Sequence, residues 1–253
     1  MYNNIKMTKK TIIAANWKMH KMADDVIAFF QQFLPLVEDM KASIWLAPSP
    51  VLLQQVLNIT KNSSLKIGAQ NISHEIYGAF TGETSIKQVA HLGASFVIIG
   101  HSERRRLFQE TEDQITKKIG LTLTYNLAPL LCIGETLEER EQGLTQQVLR
   151  HQLSSALKVF PHFQGAIAYE PVWAIGTGKT ATLEIIQETH QHCRDILKTL
   201  CETGEDIPLL YGGSVTENSA KHLKGIKEVD GVLVGGASLE ALSLTAIIQG
   251  LTQ

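Results

Sequence analysis

Ala166-Ile167-Ala168-Tyr169-Glu170-Pro171-Val172-Trp173-Ala174-Ile175-Gly176-Thr177-Gly178-Lys179-Thr180 is the stretch on which the reading of this chain turns. A short apolar run delivers a carboxylate, Glu170, directly into a proline. Proline fixes its own φ and biases the preceding residue away from helix, so the stretch reads as a strand that ends stiffly at Glu170. Beyond it, Gly176 and Gly178 flank Thr177 among bulky apolar residues, the pattern of a rigid flap with a permissive tip, as a lid over a reactive group requires. Gly178-Lys179-Thr180 resembles the end of a nucleotide phosphate loop. That motif needs its first glycine five residues before Gly178, where this chain has Trp173, so the nucleotide reading fails on spacing.

Working outward, similar short apolar runs recur along the whole chain. They are Ile12 to Asn16, Ile44 to Ala47, Leu65 to Ala69, Phe96 to Gly100, Leu130 to Gly134, Ala166 to Glu170, Leu209 to Gly212 and Val232 to Gly235. Near-continuous rather than alternating apolar character implies strands covered on both faces. Helical periodicities lie between them: Ile27, Phe30, Leu34 and Val37 mark one stripe, Leu149, Leu153, Ala156 and Phe160 another. A third runs through Leu183, Ile186, His190, Cys193, Leu197 and Leu200. His190-Gln191-His192-Cys193 carries metal-binding residue types, but i and i+2 point to different faces of a helix, and His190 and Cys193 fall in register with the leucines. That segment is expected to pack. Eight strand–helix units with no linker predict a single (β/α)₈ barrel over 11–253, preceded by a polar extension at 1–10. An open doubly wound sheet is the alternative.

In a parallel barrel, chemistry gathers where strands end. The first strand ends in Asn16-Trp17-Lys18, placing an amide and an ammonium at the rim. The fourth ends in Gly100-His101-Ser102-Glu103, with His101 just ahead of a turn that Ser102 is expected to cap. The sixth ends in Glu170. The last two end in Gly212-Gly213-Ser214 and Gly235-Gly236-Ala237. Adjacent glycines let backbone N–H groups turn toward a ligand, and a following helix N-terminus adds partial positive charge, so these two turns read together as a phosphate site.

Composition agrees with that local solution. Hydrophobic residues make up 44% and charged residues 19% of 253, with a formal net charge of -2. Such a chain carries no broad positive field to attract nucleic acid or anionic lipid, so an anion must be held by local groups. Arg104-Arg105-Arg106 is too short for a backbone-tracking groove. Three cysteines without CxxC spacing imply free thiols in a reducing compartment, and no apolar run reaches the roughly 20 residues of a bilayer span. The expectation is a cytoplasmic protein with no membrane or nucleic-acid partner.

Taken together, Asn16-Trp17-Lys18-Met19, Gly100-His101-Ser102-Glu103-Arg104-Arg105, Ala168-Tyr169-Glu170-Pro171-Val172-Trp173-Ala174-Ile175-Gly176-Thr177-Gly178-Lys179, Tyr211-Gly212-Gly213-Ser214-Val215 and Gly231-Val232-Leu233-Val234-Gly235-Gly236-Ala237-Ser238 resemble the triosephosphate isomerase family. The likeness covers all but the N-terminal extension. Leu183 departs from it where a proline is common, Asn126 where a glycine is common, and Arg106 extends the arginine pair. The resemblance implies cofactor-free interconversion of dihydroxyacetone phosphate and glyceraldehyde 3-phosphate. Glu170 would be the base, His101 the electrophile and proton shuttle, Lys18 a fixed positive charge and Asn16 an orienting group. Phosphate would meet the N–H groups of Gly176, Ser214, Gly235 and Gly236. Residue types fit: taking a proton from carbon next to a carbonyl needs a base at the carbon and a donor at the oxygen. This family is itself the worked case of pKa tuning by a helix N-terminus, so a neutral His101 is implied by the likeness rather than read from the residues. Glu103 is expected to pair with Lys18 or Arg104, and Cys132 to pack beneath the site. The loop from Gln70 to Glu83 is long, and loops of that length are usually functional; the resemblance implies that it docks into a partner subunit, with Thr81 reaching the partner's site, and so implies a homodimer. A Schiff-base aldolase is disfavoured, because no strand candidate carries a lysine in the middle of its run; Lys66 stands next to the start of one.

Overall fold

Eight parallel strands form a closed ring among the residues that the computed structural model describes, 10–174 and 180–252. They are β1 (Ile12–Asn16), β2 (Ser43–Ala47), β3 (Lys66–Ala69), β4 (Phe96–Ile99), β5 (Ala128–Ile133), β6 (Ala166–Tyr169), β7 (Leu209–Tyr211) and β8 (Gly231–Val234). Each pairs with the next in sequence, and β8 closes on β1 with Ile12 opposite Gly231 and Ala15 opposite Val234. All eight expected strands exist, and their edges move by one or two residues. β5 starts earlier than expected and contains Pro129; β4 stops before Gly100, whose φ of 70° takes the chain out of the strand.

Alternation within one strand explains the continuous apolar runs. Ile12 and Ala14 face the barrel interior with Trp45, Phe96, Ile98, Leu130, Ala168 and Leu210. Ile13 and Ala15 face outward into the layer between strands and helices, where Phe30, Phe33, Leu153 and Leu197 pack. Both faces are therefore dry, as parallel sheets require. The interior is filled rather than open: Trp45 and Phe96 pack in a tilted contact with ring centroids 4.8 Å apart. Gly68 makes that possible, because a Cβ there would lie 2.4 Å from Phe96.

The helices correct each of the three expected stripes in part. In the helix Ala23–Val37 the buried residues are Val26, Phe29, Phe30, Phe33 and Val37, while Ile27 is 43% exposed and Leu34 only partly buried. The stripe is rotated because the three phenylalanines pack as a unit against Trp17, with Phe29–Phe30 and Phe29–Phe33 centroids at 5.2 and 5.0 Å. Leu149, Leu153 and Ala156 are buried as expected, whereas Phe160 lies past the end of its helix, Thr145–Leu157, and is only partly buried. In the helix Leu183–Leu200, Ile186, His190, Cys193 and Leu197 face inward and Leu183 is exposed at the first position, a place that also suits proline.

His190 is packing. Its Nδ1 lies 2.9 Å from the Glu228 carbonyl oxygen, its ring centroid is 5.9 Å from that of Tyr169, and burial holds its pKa down at about 4. One turn on, the buried guanidinium of Arg194 donates from Nε to Glu228 (2.6 Å), from Nη1 to the carbonyls of Gly204 and Ile207 (both 2.7 Å) and from Nη2 to Asp230 (3.0 Å). Asp230 in turn accepts from the Leu209 amide at 2.9 Å, so this helix is anchored to the starts of β7 and β8. All three cysteines are free and buried. Among the described residues no helix is long and apolar enough to cross a membrane.

Closure leaves no room at the β1–β8 seam. A Cβ at Gly231 would lie 1.9 Å from the Ile12 carbonyl oxygen, and at Gly225 it would meet nothing within 4 Å. Gly231→Ala is expected to cost about 3 kcal/mol, roughly 6–12 °C in Tm, and Gly225→Ala under about 0.5 kcal/mol. Thermal unfolding followed by circular dichroism checks this; equal losses would mean that the seam is not the tight point.

Candidate active site

At the carboxyl end of the barrel one cavity of about 360 Å³ is lined by Asn16, Lys18, His101, Glu170, Gly212, Gly213, Ser214, Gly235 and Gly236, among others. The ends of β1, β4, β6, β7 and β8 thus bring together every expected site residue that is described. Gly176 and the tip of the expected lid fall in 175–179, outside the described residues.

The strand ends hold each group by backbone chemistry. Asn16 Oδ1 accepts from the Lys18 amide at 3.0 Å, closing a local turn that carries Lys18 at φ 51°. A left-handed lysine is uncommon and marks a position that the surroundings impose. Gln70, which reading the sequence placed only in a loop, supplies part of that imposition: its Nε2 donates to the carbonyls of Lys18 (2.8 Å) and Ala47 (3.0 Å). Lys18 Nζ donates to Glu103 at 2.6 Å, which resolves the two partners expected for Glu103 in favour of Lys18. Arg104 instead meets Glu110 at 3.2 Å.

His101 and Glu170 form the centre. Glu170 is anchored by its own amide, which donates to the Ile133 carbonyl at 2.7 Å. Its two carboxylate oxygens are both engaged: Oε1 lies 3.0 Å from His101 Nε2, and Oε2 accepts from the Ser102 amide at 3.0 Å. His101, not Ser102, is the N-cap of the short helix Ser102–Leu107, and its Nδ1 accepts from the Glu103 amide at 3.2 Å. An imidazole caps as well as a hydroxyl once its δ nitrogen is unprotonated, and that leaves its proton on Nε2, facing Glu170. Cys132 lies buried beneath, its thiol pushed well up by burial and by the Glu170 charge.

Electrostatics here pull in opposite directions. Burial alone would raise Glu170, but the partnership with His101, the Ser102 amide and the Lys18 charge outweigh it and hold the carboxyl below its ordinary value, so Glu170 is ionised. Burial alone would lower His101, yet the Glu170 carboxylate at 3.0 Å raises it overall. A lowered imidazole, implied by the likeness, is therefore not what this arrangement produces: the Glu103 amide opposes imidazolium, but a neighbouring full charge dominates. Above that raised value the ring is neutral with its proton on Nε2.

Opposite this pair lie the two glycine turns. The helix Glu217–Leu223 follows the first, capped by Thr216, and a single 3-10 turn, Gly236–Ser238, follows the second. Ser214 Oγ donates to the Ala174 carbonyl at 3.0 Å, joining the first turn to the exit of β6. Glu135, behind β6, was read only as part of a strand end. It is fully buried and its Oε1 accepts from Tyr169 Oη (3.1 Å), Trp173 Nε1 (2.9 Å) and Arg140 (3.0 Å), steadying the segment after Glu170. The spacing Glu135–Arg140 gives a faint signal of it; the aromatic partners are visible only in space.

These features define a (β/α)₈-barrel protein whose C-terminal mouth carries a carboxylate–imidazole pair, a lysine and two glycine turns. The sequence profile described as triosephosphate isomerase matches residues 11–251. The triosephosphate isomerase of Clostridium acetobutylicum is 46% identical over 242 residues, covering 94% of this chain and 98% of the relative. That of Clostridium botulinum strain Loch Maree is 44% identical over 247 residues, covering 95% and 99%. The crystal structure of triosephosphate isomerase from Bartonella henselae superposes with a TM-score of 0.88 at 32% identity, covering 96% of this chain and all of that one. The chain belongs to the triosephosphate isomerase family.

The Glu170–His101 pair has a defined pH signature. The contribution of Glu170 to stability is fully present above its ordinary value of 4.5 and is lost as pH falls through its lowered folded value. That of His101 is fully present below 6.5 and is lost as pH rises through its raised folded value. The Tm gap between the protein and its Glu170→Gln variant is expected to be a few degrees and widest between pH 4.5 and 6.5, narrowing on both sides. A gap that does not vary with pH would remove the pairing as a source of stability.

Proposed function

We propose that this protein interconverts dihydroxyacetone phosphate and D-glyceraldehyde 3-phosphate through an enediolate, with Glu170 as the base and His101 as the electrophile and proton shuttle. The observation that carries the reading is the convergence of Asn16, Lys18, His101 and Glu170 with Ser214, Gly235 and Gly236 on one cavity. Substrate phosphate lies against the N–H groups of Ser214, Gly235 and Gly236, joined by Gly176 from outside the described residues. Its carbonyl oxygen then meets the Nε2–H of His101. Glu170 gives up one of its present donors to reach the carbon proton. Losing that donor removes part of what holds its pKa down, so burial makes it a stronger base as the substrate arrives. Lys18, tethered by Glu103, offsets the developing enediolate charge without wandering, and Asn16 sets the turn that presents it.

The catalytic unit spans 11–253 with 1–10 as an extension, needs no cofactor or metal, and works in the cytoplasm as a homodimer. Support for the dimer comes from a second cavity of about 400 Å³ lined by Lys18, Met19, Gln70, Asn71, Glu83, Arg104 and Phe108, beside an exposed loop that displays Tyr77 (83% exposed), Phe80 and Thr81. In the dimer such a loop from a second copy enters that cavity, so that Thr81 reaches the partner's site. An aldolase reading is disfavoured: Lys66, the first residue of β3, is the lysine found on a described strand, and it is exposed at the far end.

A coupled assay with glyceraldehyde 3-phosphate, run beside binding of 2-phosphoglycolate, tests the activity; binding without turnover would make the protein a non-catalytic module. Glu170→Asp, which withdraws the base by about 1 Å, is expected to lower kcat by about 100-fold or more while phosphoglycolate binding changes little. Near-normal turnover in that variant would dismiss Glu170 as the base. Thr81→Arg is expected to shift the sedimenting species from dimer toward monomer and to reduce activity at least tenfold. A monomeric parent protein would sink the dimer.

A further inference from the structure

Two parts of the site that are far apart in sequence meet at the indole of Trp17. Its Nε1–H donates to the Ser238 carbonyl at 3.2 Å across 221 residues. Both residues have 0% exposure. Ser238 shapes its own turn, since its amide and its hydroxyl both donate to the Gly235 carbonyl, at 2.8 and 2.6 Å. The 3-10 turn carrying Gly236 is thus fixed from β8 on one side and from β1 on the other. The ring itself has little freedom: Phe29 meets it edge-on at 5.0 Å, and Lys21 Nζ lies 5.3 Å above it. The next residue after Trp17 is Lys18, whose Cε comes within 3.4 Å of where a Cβ on Gly235 would lie.

We propose that Trp17 is a positioning residue for the anion-binding rim. Its N–H sets the distance between the Lys18 ammonium and the Gly235 and Gly236 amides, so that one phosphate is gripped by both. This rests on the reading of those glycines as phosphate donors. Packing alone asks only for a large ring at position 17, and phenylalanine would supply most of one. What phenylalanine removes is the donor to a buried carbonyl, and a buried acceptor stripped of its partner recovers by shifting the turn that bears it. Since the bond lies away from the reacting carbons, its loss falls on phosphate recognition rather than on proton transfer.

Trp17→Phe tests this, together with a second variant carrying 3-benzothienylalanine at position 17, which keeps the bicyclic ring and replaces N–H by sulfur. Competitive inhibition by inorganic phosphate is measured alongside kcat/KM for glyceraldehyde 3-phosphate and for unphosphorylated glyceraldehyde. Both variants are expected to weaken phosphate inhibition about 10-fold and to lower kcat/KM for the phosphorylated substrate similarly, with less than about a 2-fold fall for glyceraldehyde. Phe33→Leu, which loosens the same aromatic layer about one helical turn beyond Phe29, is expected to lower Tm while leaving phosphate inhibition in place. Unchanged inhibition in both Trp17 variants, equal losses on the two substrates, or an equal loss in Phe33→Leu would overturn the proposal. If phosphate does not compete with substrate in the unaltered protein, the phosphate reading of the rim fails first.

Discussion

Closure of β8 onto β1 is the constraint from which the site follows. Parallel strands cannot be joined by hairpins, so each crossover returns on the outside through a helix and every strand runs the same way. Once Ile12 pairs with Gly231, the carboxyl ends of eight strands are forced onto one rim. Asn16, His101, Glu170, Ser214 and Gly235 need no further device to meet, and the packed interior of Trp45, Phe96 and Leu210 gives them a rigid floor. Gly231 is glycine for that reason: the backbone of β1 occupies the space where any side chain would begin.

On that floor the charges are arranged in tethered pairs. Glu170 is held by the imidazole and an amide, Lys18 by a carboxylate, and Glu135 by an arginine, a phenol and an indole. Pairing keeps these groups in one geometry, since Glu170 and Glu135 are buried and losing their partners would leave buried polar atoms unsatisfied. The depressed Glu170 and elevated His101 are two aspects of one contact, so whatever displaces His101 from Glu170 changes both groups together.

Much of this was legible along the chain. Eight apolar runs, the proline after Glu170 and the glycine pairs after β7 and β8 all follow from local rules of conformation and burial. The His190 segment could be read as packing from helical register alone. Misread features share one cause. The stripe of the first helix was assigned by spacing, but the facing side chains decide which of two adjacent phenylalanine and aliphatic rows turns inward, and Trp17 selected Phe29 and Phe33 over Ile27 and Leu34. Similarly His101 displaced Ser102 as the cap because Glu170, 68 residues later, takes the Ser102 amide.

By itself, then, the order of residues determined which segments are strands, which way they run, and which chemical groups stand at their ends, because these depend on neighbours a few positions away. Only the tertiary structure decided the partners: Glu103 with Lys18 rather than Arg104, Gln70 behind Lys18, Glu135 behind Trp173, Trp17 across to Ser238, and the direction in which His101 titrates. Each of these is a hydrogen bond or charge contact between groups separated by tens to hundreds of residues. Its existence depends on distances of a few tenths of an ångström that only a closed, packed barrel defines.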